Sequence, residues 1–185
     1  MHYGAIKKND IANGKGVRVS LFVSGCRHNC KGCFNKETWN FNYGSLYTKD
    51  IENEILKAVD NTFISGLSLL GGEPFEPENH KDLINLTKKF KEKFKEKDIW
   101  CYTGFLFDDI IKGKIDKNGS ALELLNNIDV LVDGKFIEEL KSPDLLFRGS
   151  SNQRIIDVKK SIAKKQVVLL EGKYERKMGS GDINE

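Results

Sequence analysis

Apolar residues recur along the chain in two alternating rhythms. Val17-Arg18-Val19-Ser20-Leu21-Phe22-Val23 is β-branched and apolar, and is bounded by Gly14, Gly16 and Gly25, which predicts a strand. Gly66–Leu70, Ile99–Tyr102 and Ile128–Val132 predict three further short, buried strands. Between them the spacing turns helical. Ile51, Ile55, Leu56 and Val59 follow Thr48, with Asp50 and Glu52 near the start, as in an N-capped amphipathic helix. Leu83, Leu86, Phe90 and Phe94 form the stripe of a second helix, and Ala121, Leu124 and Leu125 suggest a short third. Arg154–Val158 and Gln166–Leu170 read as two more strands, joined as an antiparallel hairpin across Lys159–Lys165. Strands alternating with helices predict an α/β fold with a mainly parallel sheet.

At 185 residues the chain has the rough size of one domain, and no linker or internal repeat divides it. Residues 1–171 are expected to form that domain and 172–185 a polar C-terminal tail. Thirty Lys and Arg against 27 Asp and Glu leave +3, too even to predict nucleic-acid binding. The basic run Lys88–Lys97 has Phe90 and Phe94 on one helix face and glutamates among its lysines, so it reads as a solvated face. The apolar runs fall short of the ~18 residues of a membrane helix, and the first residues lack the apolar stretch of a secretory signal. A cytoplasmic, reducing location is the expectation, which disfavours structural disulfides.

The cysteines then change the picture. Cys26, Cys30 and Cys33 lie together as C-x3-C-x2-C directly after the first predicted strand, and Cys101 stands apart inside a strand. Structural zinc takes a closed set of four ligands, and a [4Fe–4S] cluster is usually held by four cysteines. His28 or Cys101 completing a zinc site, or Cys101 closing a four-cysteine cluster, are the competing uses of these residues. No second C-x2-C knuckle is present to pair with the first, and Cys101 has the surroundings of a small core residue. Three thiolates on an iron–sulfur cube, with one iron left for a non-protein ligand, is the arrangement favoured.

Gly71-Gly72-Glu73-Pro74 follows the second predicted strand, Thr103-Gly104 the third and Asp133-Gly134-Lys135 the fourth. In parallel sheets ligands collect at the carboxyl ends of strands, so all four clusters are expected on one rim. Neither a Ser-His-Asp set nor a G-x-x-x-x-G-K-[ST] loop is evident. No protein acid, base or nucleophile is nominated, as suits a protein whose cofactors carry the chemistry.

A C-x3-C-x2-C loop with Gly-Gly-Glu-Pro after the next strand resembles the radical S-adenosylmethionine (SAM) superfamily. Phe22-Val23-Ser24-Gly25-Cys26, Gly32-Cys33-Phe34-Asn35-Lys36, Trp39, Trp100 with Thr103-Gly104, Val130–Phe136 and Arg148-Gly149-Ser150-Ser151-Asn152-Gln153 resemble, within it, the activating proteins of anaerobic ribonucleoside-triphosphate reductases. The likeness spans about residues 2–158. Many superfamily members carry an aromatic immediately before the third cysteine; this chain has Gly32 there and Phe34 after it, a departure shared by the reductase activases.

The resemblance implies a partial, open α/β barrel holding one [4Fe–4S] cluster through Cys26, Cys30 and Cys33. SAM would occupy the remaining iron. An electron from a reduced flavodoxin-type donor would cleave it to methionine and a 5′-deoxyadenosyl radical, which would generate a glycyl radical on the large catalytic subunit of the reductase. An activase for another glycyl-radical enzyme, of the pyruvate formate-lyase type, and a non-enzymatic zinc or iron–sulfur module are the alternatives. By the same resemblance Gly71, Gly72 and Glu73 would receive the methionyl group, and Gly32, Cys33 and Phe34 the adenine. A β-branched residue at position 72 is accordingly expected to weaken SAM binding while sparing cluster assembly. Asp133 and Lys135 resemble an Asp-x-Lys pair near SAM, with a charged turn as the plain reading, and Arg148–Gln153 would line the ribose side or receive the reductase.

Overall fold

The computed structural model describes residues 1–172 and 174. Its strands are β1 (His2–Asp10), β2 (Val17–Val23), β3 (Ser45–Leu46), β4 (Ile64–Gly71), β5 (Asp98–Tyr102), β6 (Val130–Asp133) and β7 (Arg154–Asp157). Its α-helices are α1 (Lys49–Val59), α2 (Pro77–Lys93), α3 (Phe107–Ile111), α4 (Ser120–Asn126) and α5 (Val158–Lys164). The seven strands form one open sheet in the order β3-β1-β2-β4-β5-β6-β7.

The predicted strands over Val17–Val23, Gly66–Leu70 and Ile99–Tyr102 are present, with the fourth over Val130–Asp133, and these four pair in parallel. The sheet as a whole is mixed rather than mainly parallel. β1 pairs antiparallel with both β2 and β3, and β7 antiparallel with β6, so half of the six pairings are antiparallel. β1 escapes the hydrophobic pattern because it is a half-exposed strand carrying Lys7 and Lys8, with only Tyr3 and Ile6 packed partly buried against the core.

The expected hairpin after Arg154 is also corrected. Lys159–Lys165 does not turn between two strands: Val158–Lys164 is helix α5. Asp157 caps it by accepting from Lys160 N at 3.0 Å, and the Ser161 hydroxyl donates to Asp157 O at 2.6 Å. Residues 166–170 then return beside β7 through Asp157 N→Val168 O, Leu170 N→Ile155 O and one bridge between Ile156 and Leu169. Of the expected tail, only Gly172 and Tyr174 lie among the described residues; the Tyr174 ring meets Phe147 at 6.3 Å.

Alternation along the strands sorts side chains onto two faces. Val19, Leu21 and Val23, Leu67 and Leu69, Ile99 and Cys101, and Leu131 are buried together with Ile55 and Val59 of α1, Leu83, Leu86 and Phe90 of α2 and Leu124 of α4. Thr48 caps α1 as expected, its side chain accepting from Ile51 N. The other face carries Arg18, Ser20 and Phe22, Ser68 and Leu70, and Trp100 and Tyr102.

Arg18 is fully buried there, against the Trp100 ring at 5.6 Å. Its guanidinium donates to Ser68 Oγ (2.7 Å), Lys15 O (3.0 Å), Leu67 O (2.9 Å) and Asp98 O (3.1 Å), and pairs with the Asp98 carboxylate at 2.7 Å. It stitches the β1–β2 turn, β4 and β5 together at the start of the parallel strands. Arg18→Met keeps the bulk and strands these acceptors. It is expected to lower stability by about 3 kcal/mol, read as a drop in the urea midpoint with unchanged slope.

Candidate functional site

The parallel strands deliver their carboxyl ends to one rim. There the cysteine loop, the Gly71–Glu73 turn, Thr103-Gly104 and Gly134 line a cavity of about 500 Å³, with Phe22, Leu70 and Tyr102 from the sheet face. That volume lies within the ~300–1,000 Å³ range of small-molecule sites. Arg148, Gly149 and Gln153 line it as well. Gln153 fixes this segment to the turn after β6: its side-chain oxygen accepts from Gly149 N (2.7 Å) and Ser150 N (3.1 Å), and its amide donates to Gly134 O (2.8 Å).

The base of the cysteine loop is secured by backbone. Ser24 N donates to His2 O, Gly25 N to Thr38 O and Cys26 N to Trp39 O, so the loop is closed where it leaves β2 and where it ends in the 3₁₀ turn Lys36–Trp39. Cys33 N donates to Cys30 O. Gly32, with φ of +69°, supplies the left-handed residue between them. Arg27 is fastened to the start of α2: its backbone N–H donates to Glu76 Oε1 at 2.8 Å, its guanidinium pairs with Glu76 and Glu78, and it lies over the Phe41 ring at 4.3 Å.

Cys26, Cys30 and Cys33 all open on the cavity, and Cys101 is sealed in the core under the helix-covered face of the sheet. His28 lines the same cavity, with its Nε2 taken up by Glu73 Oε2 at 2.8 Å. Neither fourth ligand weighed from the sequence is therefore at hand. Among the described residues no three His, Cys, Asp or Glu side chains close around a common point as for a single ion. The three thiols are instead spread along the cavity wall. Burial pushes the Cys26 thiol up to about 12, with the charges of Glu73 and Glu76 acting the same way, and burial also raises Cys30. A bound iron reverses this, because a coordinating thiol is deprotonated. Three thiols lining one open cavity fit an iron–sulfur cluster, which is larger than a single ion, with room for a further ligand.

The remaining residues singled out from the sequence fall into two groups. Phe34, Gly71, Gly72 and Glu73 line the cavity with the thiols, and Phe34, largely exposed, meets Phe136 at 5.2 Å at its mouth. Gly71 and Gly72 are tight for a reason the sequence did not show. Gly71 has φ of +105°, and a Cβ there would lie 2.7 Å from Val23 O; a Cβ on Gly72 would lie 2.6 Å from Gly25 O and 2.9 Å from Thr38 O. The bare backbone is required by the neighbouring chain beneath the cysteine loop. Neither Asp133 nor Lys135 lines the cavity: Asp133 is fully buried, accepting from Arg154 and from Phe107 N, and Lys135 is exposed, although Gly134 between them lines the wall and the Lys135 charge acts to lower the Cys30 thiol.

The Glu73 carboxylate is 1% exposed and serves three loops at once. Oε1 accepts from Phe75 N (2.8 Å) and the Thr103 hydroxyl (2.8 Å); Oε2 accepts from Gly104 N (2.7 Å) and His28 Nε2. Sequence reasoning missed this node. Only the presence of His28 between two cysteines and of Thr103-Gly104 on the same rim could have hinted at it.

Comparison with known proteins agrees with this geometry. Residues 12–156 match the family described as 4Fe-4S single cluster domain. The anaerobic ribonucleoside-triphosphate reductase-activating protein of Escherichia coli (strain K12) is 43% identical over 155 residues, covering 83% of this chain and 96% of that protein. Its namesakes in Enterobacteria phage T4 (42% over 155 residues, 84% of this chain and 93% of that protein) and Vibrio cholerae (43% over 157 residues, 84% and 97%) are similarly close. With most of its length covered at this identity, and with three of its four thiols on one cavity, the chain belongs to the 4Fe-4S single cluster domain family and to the family of anaerobic ribonucleoside-triphosphate reductase-activating proteins.

Proposed function

We propose that this chain is a radical SAM oxidoreductase of the cytoplasm that activates an anaerobic ribonucleoside-triphosphate reductase. In this reading Cys26, Cys30 and Cys33 hold one [4Fe–4S] cluster and leave its fourth iron to SAM. The observation that carries it is the division of the thiols: three open on a cavity of about 500 Å³ and the fourth is buried on the far side of the sheet. The reductase as partner comes from the names of the relatives. When bound, the cluster and SAM supply one-electron cleavage of the sulfonium S–C5′ bond, giving methionine and a 5′-deoxyadenosyl radical that takes hydrogen from a glycine of the large catalytic subunit.

The protein's own part is placement and shelter. The Gly71–Glu73 backbone brings peptide groups to the cavity edge nearest the cysteine loop, where a methionyl amino group would sit. Phe34 and Phe136 offer an aromatic pair at the mouth for the adenine. Leu70, Phe22 and Tyr102 form a largely apolar floor that keeps water from a radical. The reducing electron would come from a flavodoxin-type donor.

The test is anaerobic incubation of the reconstituted protein with the large reductase subunit, SAM and a reductant. The expected result is a glycyl radical doublet by EPR on the reductase, with 5′-deoxyadenosine and methionine formed together. A radical formed only on a pyruvate formate-lyase type protein would move the substrate elsewhere. Stoichiometric zinc without a SAM effect would replace the enzyme with a binding module.

A further inference from the structure

We propose that His28 is the positioning residue of the cysteine loop, acting through Glu73 to fix how Cys26 and Cys30 face the cluster. The proposal rests on the reading that these cysteines are cluster ligands. His28 stands between them in sequence, so wherever its ring is pinned the loop follows. The ring is pinned twice. Its edge packs on Phe105 with centroids 4.5 Å apart, in the space left by Gly104, where a Cβ would lie 2.4 Å from the imidazole. Its Nε2 reaches Glu73 Oε2.

The direction of that hydrogen bond follows from the other donors. Phe75 N–H and Gly104 N–H have no alternative role, and Thr103 Oγ, which accepts from Phe105 N at 3.1 Å, gives its own proton to Glu73. Glu73 is thus an acceptor on every side, and His28 donates. The carboxylate is in turn immobile, since its partners belong to the turn after β4 and the loop after β5. Through one histidine, two loops at the ends of central parallel strands bear on the stretch between Cys26 and Cys30; the rest of the loop is held at its base, at Arg27, by Lys31 against Glu138 and Glu139 and by Phe34 against Phe136. Groups that orient metal ligands in this way typically alter metal affinity about 10–100-fold when removed.

Two substitutions separate the hydrogen bond from the packing. His28→Leu fills the space beside Phe105 and donates nothing; His28→Gln gives up the ring and keeps an N–H for Glu73. The full-length protein, reconstituted without oxygen, is mixed with a ferrous chelator, and EPR of the reduced cluster is recorded alongside the rate of iron loss. His28→Leu is expected to release iron about 10–100-fold faster than the wild type and to show shifted or broadened signals, whereas His28→Gln stays within about threefold. Glu73→Gln, which turns an NH2 group toward one pair of its donors, should lose iron at least as fast as His28→Leu, and adding His28→Leu to it should change little, as for residues acting through one contact. Wild-type iron retention and EPR in His28→Leu overturn the proposal, as does equal loss in the leucine and glutamine variants. A wild-type protein that takes up no iron overturns the underlying cluster assignment instead, and is seen before any variant is compared.

Discussion

Alanine at Cys26, Cys30 or Cys33 is expected to reduce reductive SAM cleavage to background in each case, while Cys101→Ala retains most of the activity. The contrast follows from placement. The three loop thiols share one cavity, so in the proposed reading removing any of them would leave a cluster with two protein ligands and too few thiolates to hold its irons. Cys101 packs among Leu69, Leu131 and the helices, and its burial raises its thiol well above the usual range, so it behaves as a small apolar side chain. Its loss should cost about 1 kcal/mol of stability through a small cavity. The measurement is 5′-deoxyadenosine release under a strong reductant, together with iron content and thermal unfolding. Loss of activity in Cys101→Ala with a normal fold would show that the ligand set is wrong.

Gly72→Val is expected to impair cluster assembly itself and to destabilise the protein by about 3 kcal/mol, at the upper end for overpacking a tight site. The β-carbon would press on Gly25 O and Thr38 O, both backbone atoms that cannot rotate away. Those two residues are joined by Gly25 N→Thr38 O at 2.8 Å and form the neck of the cysteine loop immediately before Cys26. The same turn donates Gly72 N to Val23 O at 2.7 Å and Glu73 N to Gly25 O at 2.8 Å, so displacement spreads directly to the loop. This differs from the expectation drawn from sequence, in which a bulky residue at 72 weakens SAM binding and spares the cluster. Iron per chain after reconstitution and the urea midpoint together decide it. Full iron content with wild-type stability would return Gly72 to a role in ligand contact alone.

What could be read in the sequence follows from how each element is stabilised. β2, β4 and β5 are buried central strands, and burial writes itself as short apolar runs flanked by glycine. β1 and β3 carry no such mark, since β1 brings only Tyr3 and Ile6 against the core and β3 is two exposed residues, so the antiparallel edge β3-β1-β2 was not legible, although β7 was read as a strand. α5 was hidden because Asp157 and Ser161, the residues that start and brace it, also suit a turn. In the site, the sharing of one cavity by Cys26, Cys30 and Cys33 was legible because the three lie within one short loop. The His28–Glu73 contact joins residues 45 apart, a juxtaposition created by strand order alone. Asp133 was singled out because Asp133 and Lys135 resemble an Asp-x-Lys pair, with a charged turn as the plain reading. Its charge is instead matched by Arg154 across the β6–β7 pair, with Asp108 also on that guanidinium.

The claim beneath all of this is that three thiolates leave one iron of the cube free to bind SAM. Mössbauer spectroscopy of the anaerobically reconstituted protein, with and without SAM, addresses it most directly. One iron of four should change its isomer shift when SAM is added while the other three stay as they were. Four irons that remain alike before and after addition would mean that a side chain already occupies the fourth corner.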